Sequence, residues 1–132
     1  WKNDFDKLKK VKAFSKKYSA IVVIKGANTI TVFQDKLYVN TTGNPGLSTA
    51  GSGDVLTGII TGLISQGYTP VIATVFGVYL HGKSADIAVE DFGYQSLIAS
   101  HVIDYLGKAF IDLFKQPEQP QEVEEATKEQ QK

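Results

Sequence analysis

The sequence predicts an α/β fold, and three observations carry that prediction. The run Ala20-Ile21-Val22-Val23-Ile24 is apolar without alternation and mostly β-branched, the pattern of a strand buried on both faces in a parallel sheet. Apolar residues at helical spacing precede this run and recur through the second half of the chain. Between the two regions a glycine-rich loop, Asn40 to Asp54, leads directly into an apolar helix expected to begin at Val55. A length of 132 residues suffices for one compact domain and is too short for two.

Taken in order, Asp4 to Tyr18 carries Phe5, Leu8, Val11 and Phe14 at helical spacing with lysines between them, so one face packs and the other is solvated. After the strand come Lys25-Gly26-Ala27-Asn28-Thr29, then Ile30 to Phe33, a Gln34-Asp35-Lys36 turn and Leu37 to Val39, which read as a hairpin. Lys25 and Gly26 stand at the end of a strand, where open α/β sheets place ligands; alternatively Lys25 only marks the strand leaving the core. From Val55, the residues Leu56, Ile59, Ile60, Leu63 and Ile64 form a broad apolar face that stops at Gly67. Gly58 and Gly62 weaken that helix by about 1 kcal/mol each, which predicts close packing against a neighbour. Thr69-Pro70 opens a further helix that ends near Phe92-Gly93. A last helix is expected from Gln95 to Phe114, with Leu97, Ile98, Val102, Ile103, Leu106, Phe110 and Phe114 on its buried side. Residues 116–132, rich in Pro, Gln and Glu, are too polar to fold and are expected to be disordered.

The loop carries the chemistry. Gly51, Ser52 and Gly53 have little side chain, so their backbone can approach an anion closely, and the following helix offers unpaired N–H groups and the positive end of its dipole. Asp54 stands at the mouth of this anion site. As a structural residue it is a cap or a first-turn acid; beside a phosphate it makes sense as a group that takes a proton during reaction.

Composition narrows the function. Net charge is zero, and nothing in the sequence forms a nucleic-acid surface. The absence of cysteine excludes disulfides and thiolate metal sites, and two histidines make a multi-histidine site improbable, so no metal ligand is assigned to the protein. Without a leader or a membrane-length apolar run, the sequence reads as cytoplasmic and off the membrane. It starts at Trp1 and has no methionine, so it also reads as a piece of something longer. Gly77 to Ser84 satisfies the P-loop pattern, but Val78, Tyr79 and Leu80 are too bulky for a phosphate cradle and fit a helix instead. His81 reads as a helix residue with a local hydrogen-bond partner rather than a base.

Four motifs then combine. Lys25-Gly26-Ala27-Asn28-Thr29, Asn40-Thr41-Thr42-Gly43-Asn44-Pro45-Gly46, Thr49 to Gly58 and Tyr79-Leu80-His81-Gly82 resemble, in order and spacing, the C-terminal half of the ADP- or ATP-dependent NAD(P)H-hydrate dehydratases. These belong to the ribokinase-like (Rossmann-like) superfamily, with a three-layer α/β/α domain. The resemblance covers Ile21 to Leu106, and the Gly-Asn-Pro-Gly run joined to Gly-Ser-Gly-Asp separates this family from most sugar and vitamin kinases. Leu47 and Ser48 stand where the family usually has Met and Ala. His101 follows Ala99-Ser100 where an aspartate is common, which leaves the capping role of that position open.

The resemblance implies repair of hydrated nicotinamide cofactors by dehydration coupled to ADP or ATP. Lys25, Gly26, Ala27, Asn28, Thr29, Gly51, Ser52 and Gly53 would bind the nucleotide. Asp54 would be the catalytic base facing the hydrated NADH or NADPH, with Asn44 a further substrate contact. Magnesium (Mg2+) would be held through nucleotide oxygens and water. Residues 1–115 would be the C-terminal part of the domain. Its missing N-terminal half would pair with the strand Ala20 to Ile24, and homo-oligomerisation would cover exposed faces. An epimerase domain is often fused upstream. A ribokinase-like thiazole or pyrimidine kinase would use the same Asp54, and a non-catalytic nucleotide-binding remnant would not bring Lys25 and Asp54 into one cleft.

Overall fold

The structure is a computed structural model that describes residues 1–115; the expected polar tail lies outside the described residues. The first helix, α1 (Asp4–Tyr18), coincides with its predicted span. Asn3 caps it by accepting the Asp6 N–H at 2.8 Å, and Ser19, in the left-handed region at φ 49°, ends it. Leu8 and Val11 are half-buried, but Phe5 and Phe14 are 79% and 53% exposed, so only part of the predicted packing face is covered among the described residues. Ser15 fixes the helix to the sheet: its buried hydroxyl donates to the Ala20 carbonyl at 2.6 Å and accepts the Gln34 N–H at 2.7 Å.

Three strands follow, β1 (Ile21–Ile24), β2 (Ile30–Phe33) and β3 (Lys36–Val39), ordered β1-β2-β3. Both pairings are antiparallel, with Val22 opposite Val32 and Val32 opposite Leu37. The parallel sheet expected from the apolar run is thus absent among the described residues, and β1 is half-buried rather than enclosed. An apolar run encodes burial and says nothing of its partner's direction; here the partner is the next strand of a hairpin. One edge of β1 is unpaired among the described residues. Both faces of β2 are covered, since the successive residues Thr31 and Val32 are buried and point to opposite sides.

The α2 helix (Ser52–Ser65) starts earlier than predicted, at Ser52 rather than Val55. Gly51, at φ 80°, is its cap, a conformation glycine adopts without steric cost. Periodic apolar residues begin only at Val55, so periodicity does not mark the first turn. The α3 helix (Pro70–Phe92) is the central element, with the sheet on one side and α2 and the C-terminal helices on the other. Thr31 faces its Val75 and Val78, and the opposite face of β2 meets α1. Where α2 meets α3, a side chain at Gly77 would come within 2.7 Å of Ile60 Cγ1, so Gly77 is the close-approach glycine. Gly58 and Gly62 are not: a side chain at either would meet nothing within 4 Å.

The single last helix expected from Gln95 is two, α4 (Ala99–Asp104) and α5 (Leu106–Phe114), bent at Tyr105. Leu97 and Val102 are buried, whereas Ile98, Ile103 and Phe114 are 50%, 56% and 74% exposed, because the bend turns the predicted stripe off a common face. His101 does serve at the start of α4: Nδ1 accepts the Ile98 N–H at 3.4 Å while the ring stacks on Phe92. Leu80, Leu63, Ala73 and Ala109 form one core cluster, and Ala85, Ala88, Leu97 and Val102 a second.

Candidate functional site

Three segments enclose a cavity of about 590 Å³. The first is the turn after β1, where the Thr29 hydroxyl donates to the Gly26 carbonyl at 3.4 Å. Lys25, Gly26, Ala27 and Thr29 line the cavity from this side. The second is the Asn40 to Ser48 loop, folded over a short 3₁₀ turn at Pro45–Leu47. The third is the floor, made of Ser52 and Leu56 on α2 and Val78, His81 and Gly82 on α3.

The loop is fastened to α3 at several points. Thr42 Oγ1 donates to the Tyr79 carbonyl at 2.9 Å, and the Thr42 carbonyl accepts from Asn40 Nδ2 at 2.8 Å. Gly82 permits the contact, since a Cβ there would lie 2.7 Å from the Thr42 carbonyl carbon. Asp86, one turn on, accepts the Gly43 N–H and the Asn44 amide, each at 2.8 Å. Tyr79, Gly82 and Asp86 are spaced to share one helix face. Sequence reasoning missed Asp86; the available signal was an acid inside an apolar helix, a residue that wants a partner.

The residues of the expected anion site stand in a different arrangement from the one read in the sequence. Ser52, Gly53 and Asp54 are the first turn of α2, so Asp54 is a first-turn acid and Gly51 the cap. The Asp54 N–H is closed onto the Gly51 carbonyl at 3.0 Å, and Ser52 N–H reaches the Thr49 carbonyl at 3.4 Å. The Gly53 N–H has no backbone acceptor among the described residues and is a free donor at the positive end of the helix. Lys25 comes to the same point: its Nζ lies 3.3 Å from where a Cβ on Gly53 would stand.

Lys25, Gly26, Ala27, Thr29, Ser52 and Asn44 therefore line the cavity, with Gly53 against Lys25; Asn28 and Gly51 are not in its wall. Asp54 opens on the other side of the same helical turn. It lines a second, apolar cavity of about 550 Å³ with Gly58, Gly62, Ile103, Leu106 and Phe110. The Asp54 side chain is exposed, and no ion pair among the described residues engages it. Lys25 and Asp54 thus flank one turn of helix rather than sharing one cleft among the described residues, which is the arrangement expected of a non-catalytic remnant.

His81 is buried, and Nε2 lies 2.9 Å from the Ser52 carbonyl and 3.3 Å from its hydroxyl. A carbonyl only accepts, so Nε2 carries the proton. Its partner is on another helix, not local as expected. Burial holds the imidazole below its usual 6.5; the hydrogen bond to Ser52 opposes this and the Lys25 charge adds to it. Gly77 to Ser84 lies wholly within α3, and Val71 to Phe76 is helix, which disposes of the P-loop match. No group of three or more acidic or histidine side chains is placed to hold a metal among the described residues. No described helix is long and apolar enough to cross a membrane.

The NAD(P)H-hydrate dehydratase family matches residues 2–108. A bifunctional NAD(P)H-hydrate repair enzyme of Moorella thermoacetica is 43% identical over 76% of this chain and 19% of its own length. An ADP-dependent (S)-NAD(P)H-hydrate dehydratase of Neisseria meningitidis is 45% identical over 64% of this chain and 29% of its own. Among solved structures, the ADP/ATP-dependent NAD(P)H-hydrate dehydratase of Bacillus subtilis, co-crystallised with ATP and magnesium, superposes with a TM-score of 0.70 at 31% identity. That superposition covers 80% of this chain and 41% of the Bacillus chain. A ribokinase-like superfamily protein of Enterococcus faecalis gives 0.64 at 31% identity, over 80% of this chain and 36% of its own. The chain spans less than a third of the curated relatives' length, 19% and 29% for the two above, and it belongs to the NAD(P)H-hydrate dehydratase family, with a ribokinase-like fold.

Proposed function

We propose that this chain supplies the nucleotide side of an active site that uses ADP or ATP to dehydrate hydrated NADH or NADPH. The observation that carries this reading is the approach of the Lys25 ammonium to Gly53, a residue at the start of α2 whose N–H has no backbone acceptor among the described residues. A cation and a main-chain donor at a helix N-terminus fit a terminal phosphate. The nucleoside part of the ligand occupies the 590 Å³ cavity, against the Gly26 to Thr29 turn and the Asn40 to Ser48 loop.

Asp54 faces away from the nucleotide by one step around the helix, toward the apolar cavity where a nicotinamide ring finds Leu106 and Phe110. There its carboxylate takes the proton of the ring hydroxyl while that oxygen attacks the terminal phosphorus and the bond to the leaving nucleotide breaks. Lys25 and the Gly53 amide hold the charge on the transferring group. Phosphate then departs with the C–O electron pair, the adjacent ring carbon gives its proton to water, and the C–H electron pair forms the restored double bond. Magnesium would be held through nucleotide oxygens and water, since the described residues offer no carboxylate cage, and would neutralise phosphate charge.

The rest of the protein completes the site by adding strands to the open edge of β1. The test is Asp54→Asn in the full-length protein. Turnover of hydrated NADH falls at least ~100-fold while ADP binding persists; retained turnover rejects Asp54 as the base. A stable phosphorylated product in place of restored NADH would identify a small-molecule kinase instead.

A further inference from the structure

Outside the phosphate end of the cavity, one polar cluster has a geometry that the proposed mechanism does not use. Asp86 Oδ2 accepts the Gly43 N–H at 2.8 Å, and Oδ1 accepts from Asn44 Nδ2 at 2.8 Å. Asn44 Oδ1 in turn accepts the Gly46 N–H at 3.0 Å and caps the 3₁₀ turn. An asparagine side chain can sit either way round, and only its partners decide which. A carboxylate only accepts, so Asp86 obliges Asn44 to present its NH₂ inward and its oxygen to Gly46.

We propose that Asp86 is a positioning residue: by fixing the orientation of the Asn44 amide it holds the Gly43 to Leu47 turn as the rigid wall of the nucleotide cavity. Pro45 and the hydrogen bonds from Leu47 and Ser48 N–H stiffen the turn internally, and Asp86 ties it to α3. Gly43 sits at φ 104°, and Gly46 has Leu97 and Asn44 packed within 3 Å of where its Cβ would stand. With its oxygen and one of its N–H groups committed to this scaffold, Asn44 acts on the ligand through the wall it stiffens. The nucleotide part of this inference rests on the proposed function; the orientation of Asn44 does not.

The pair permits an exchange experiment. In Asp86→Asn, the one amide oxygen at 86 cannot accept from both Gly43 and Asn44, so either Asn44 turns and gives up Gly46 or Gly43 loses its acceptor. In Asn44→Asp, two carboxylates meet. With both substitutions together, Asn at 86 accepts from Gly43 and donates to Asp at 44, which accepts from Gly46, and every bond is restored. Two readouts are taken on the same samples of the full chain: amide hydrogen exchange at Gly43 and Gly46, and ADP affinity by calorimetry. Each single change speeds exchange at one or both amides by about tenfold or more. Each also weakens ADP binding by about fivefold or more, and the double variant returns both readouts to within about threefold of the parent. A double variant no better than the singles overturns the proposal, as does Asp86→Asn with unchanged exchange. Restored exchange without restored affinity assigns Asn44 to direct ligand contact and overturns it too. Failure of the parent chain to bind ADP rejects the nucleotide reading, while the exchange data still decide the Asp86 clamp.

Discussion

Lys25 Nζ hangs over the Cα of Gly53, at 3.3 Å from the position a side chain would take. A strand end and a helix start, far apart in sequence, are thereby brought together at the edge of the cavity that Lys25 and Ser52 line.

Enlarging Gly53 crowds Lys25. Gly53→Ala suits the helical backbone and leaves stability unchanged or raised by about 0.5 kcal/mol, yet its methyl group pushes the ammonium aside. ADP affinity should fall about tenfold, read by calorimetry alongside thermal melting. Lys25→Ala should cost about ten- to a hundredfold, with a weaker salt dependence of binding. Unchanged affinity in both would remove the anion site.

Acidification should loosen the floor of the cavity. The folded protein keeps His81 below its usual 6.5, so at lower pH the unfolded chain binds a proton that the folded chain resists. Stability is therefore full above about 6.5 and declines as pH falls from there through the folded-state value. The midpoint of thermal unfolding, followed from pH 7.5 to about 5, should drop in the parent and drop less in His81→Gln. Equal slopes would assign the acid sensitivity to other groups.

Glycines on α2 and α3 should respond in opposite directions to alanine. At Gly82 the new carbon strikes the Thr42 backbone, which cannot step aside, and destabilises by about 1–3 kcal/mol. At Gly58 it meets open space and stabilises the helix by about 0.5–1 kcal/mol. Chemical denaturation of the isolated chain reads both. A loss at Gly58 would reveal that its face is covered in solution.

Open edges should draw partners. The unpaired side of β1 and the exposed Phe5 and Phe14 offer strand and apolar surface together. Sedimentation of the isolated chain should detect self-association at micromolar concentration, relieved when the remainder of the protein is supplied. A monomer throughout would count against a missing partner for β1.

Much of this was legible in the residues, and the failures have physical causes. Apolar spacing marks α1, and Thr69-Pro70 and Phe92-Gly93 mark the ends of α3 by local chemistry, so both helices lie where the sequence places them. The first turn of α2 lacks apolar periodicity, and its start at Ser52 had no such mark. Gly58 and Gly62 were read as packing glycines, but the same residue type serves Gly77 and Gly82, and only three dimensions say which glycine faces a neighbour. Lys25, Ser52 and Gly53 are legible as candidates because contiguous motifs carry them. Asp86 was not, because its partners Gly43 and Asn44 lie on a distant loop, and sequence order gives no hint of that meeting.

Tyr79, Gly82 and Asp86 grip the loop from one side of α3, and His81 reaches across from the same rod to the start of α2. The width of the chamber is thus ruled by a single stiff stick rather than by the mutual drift of several parts. The spacing between the loop and the start of α2 is therefore set by one helix, and a shift of the Gly26 to Thr29 wall would leave it unchanged.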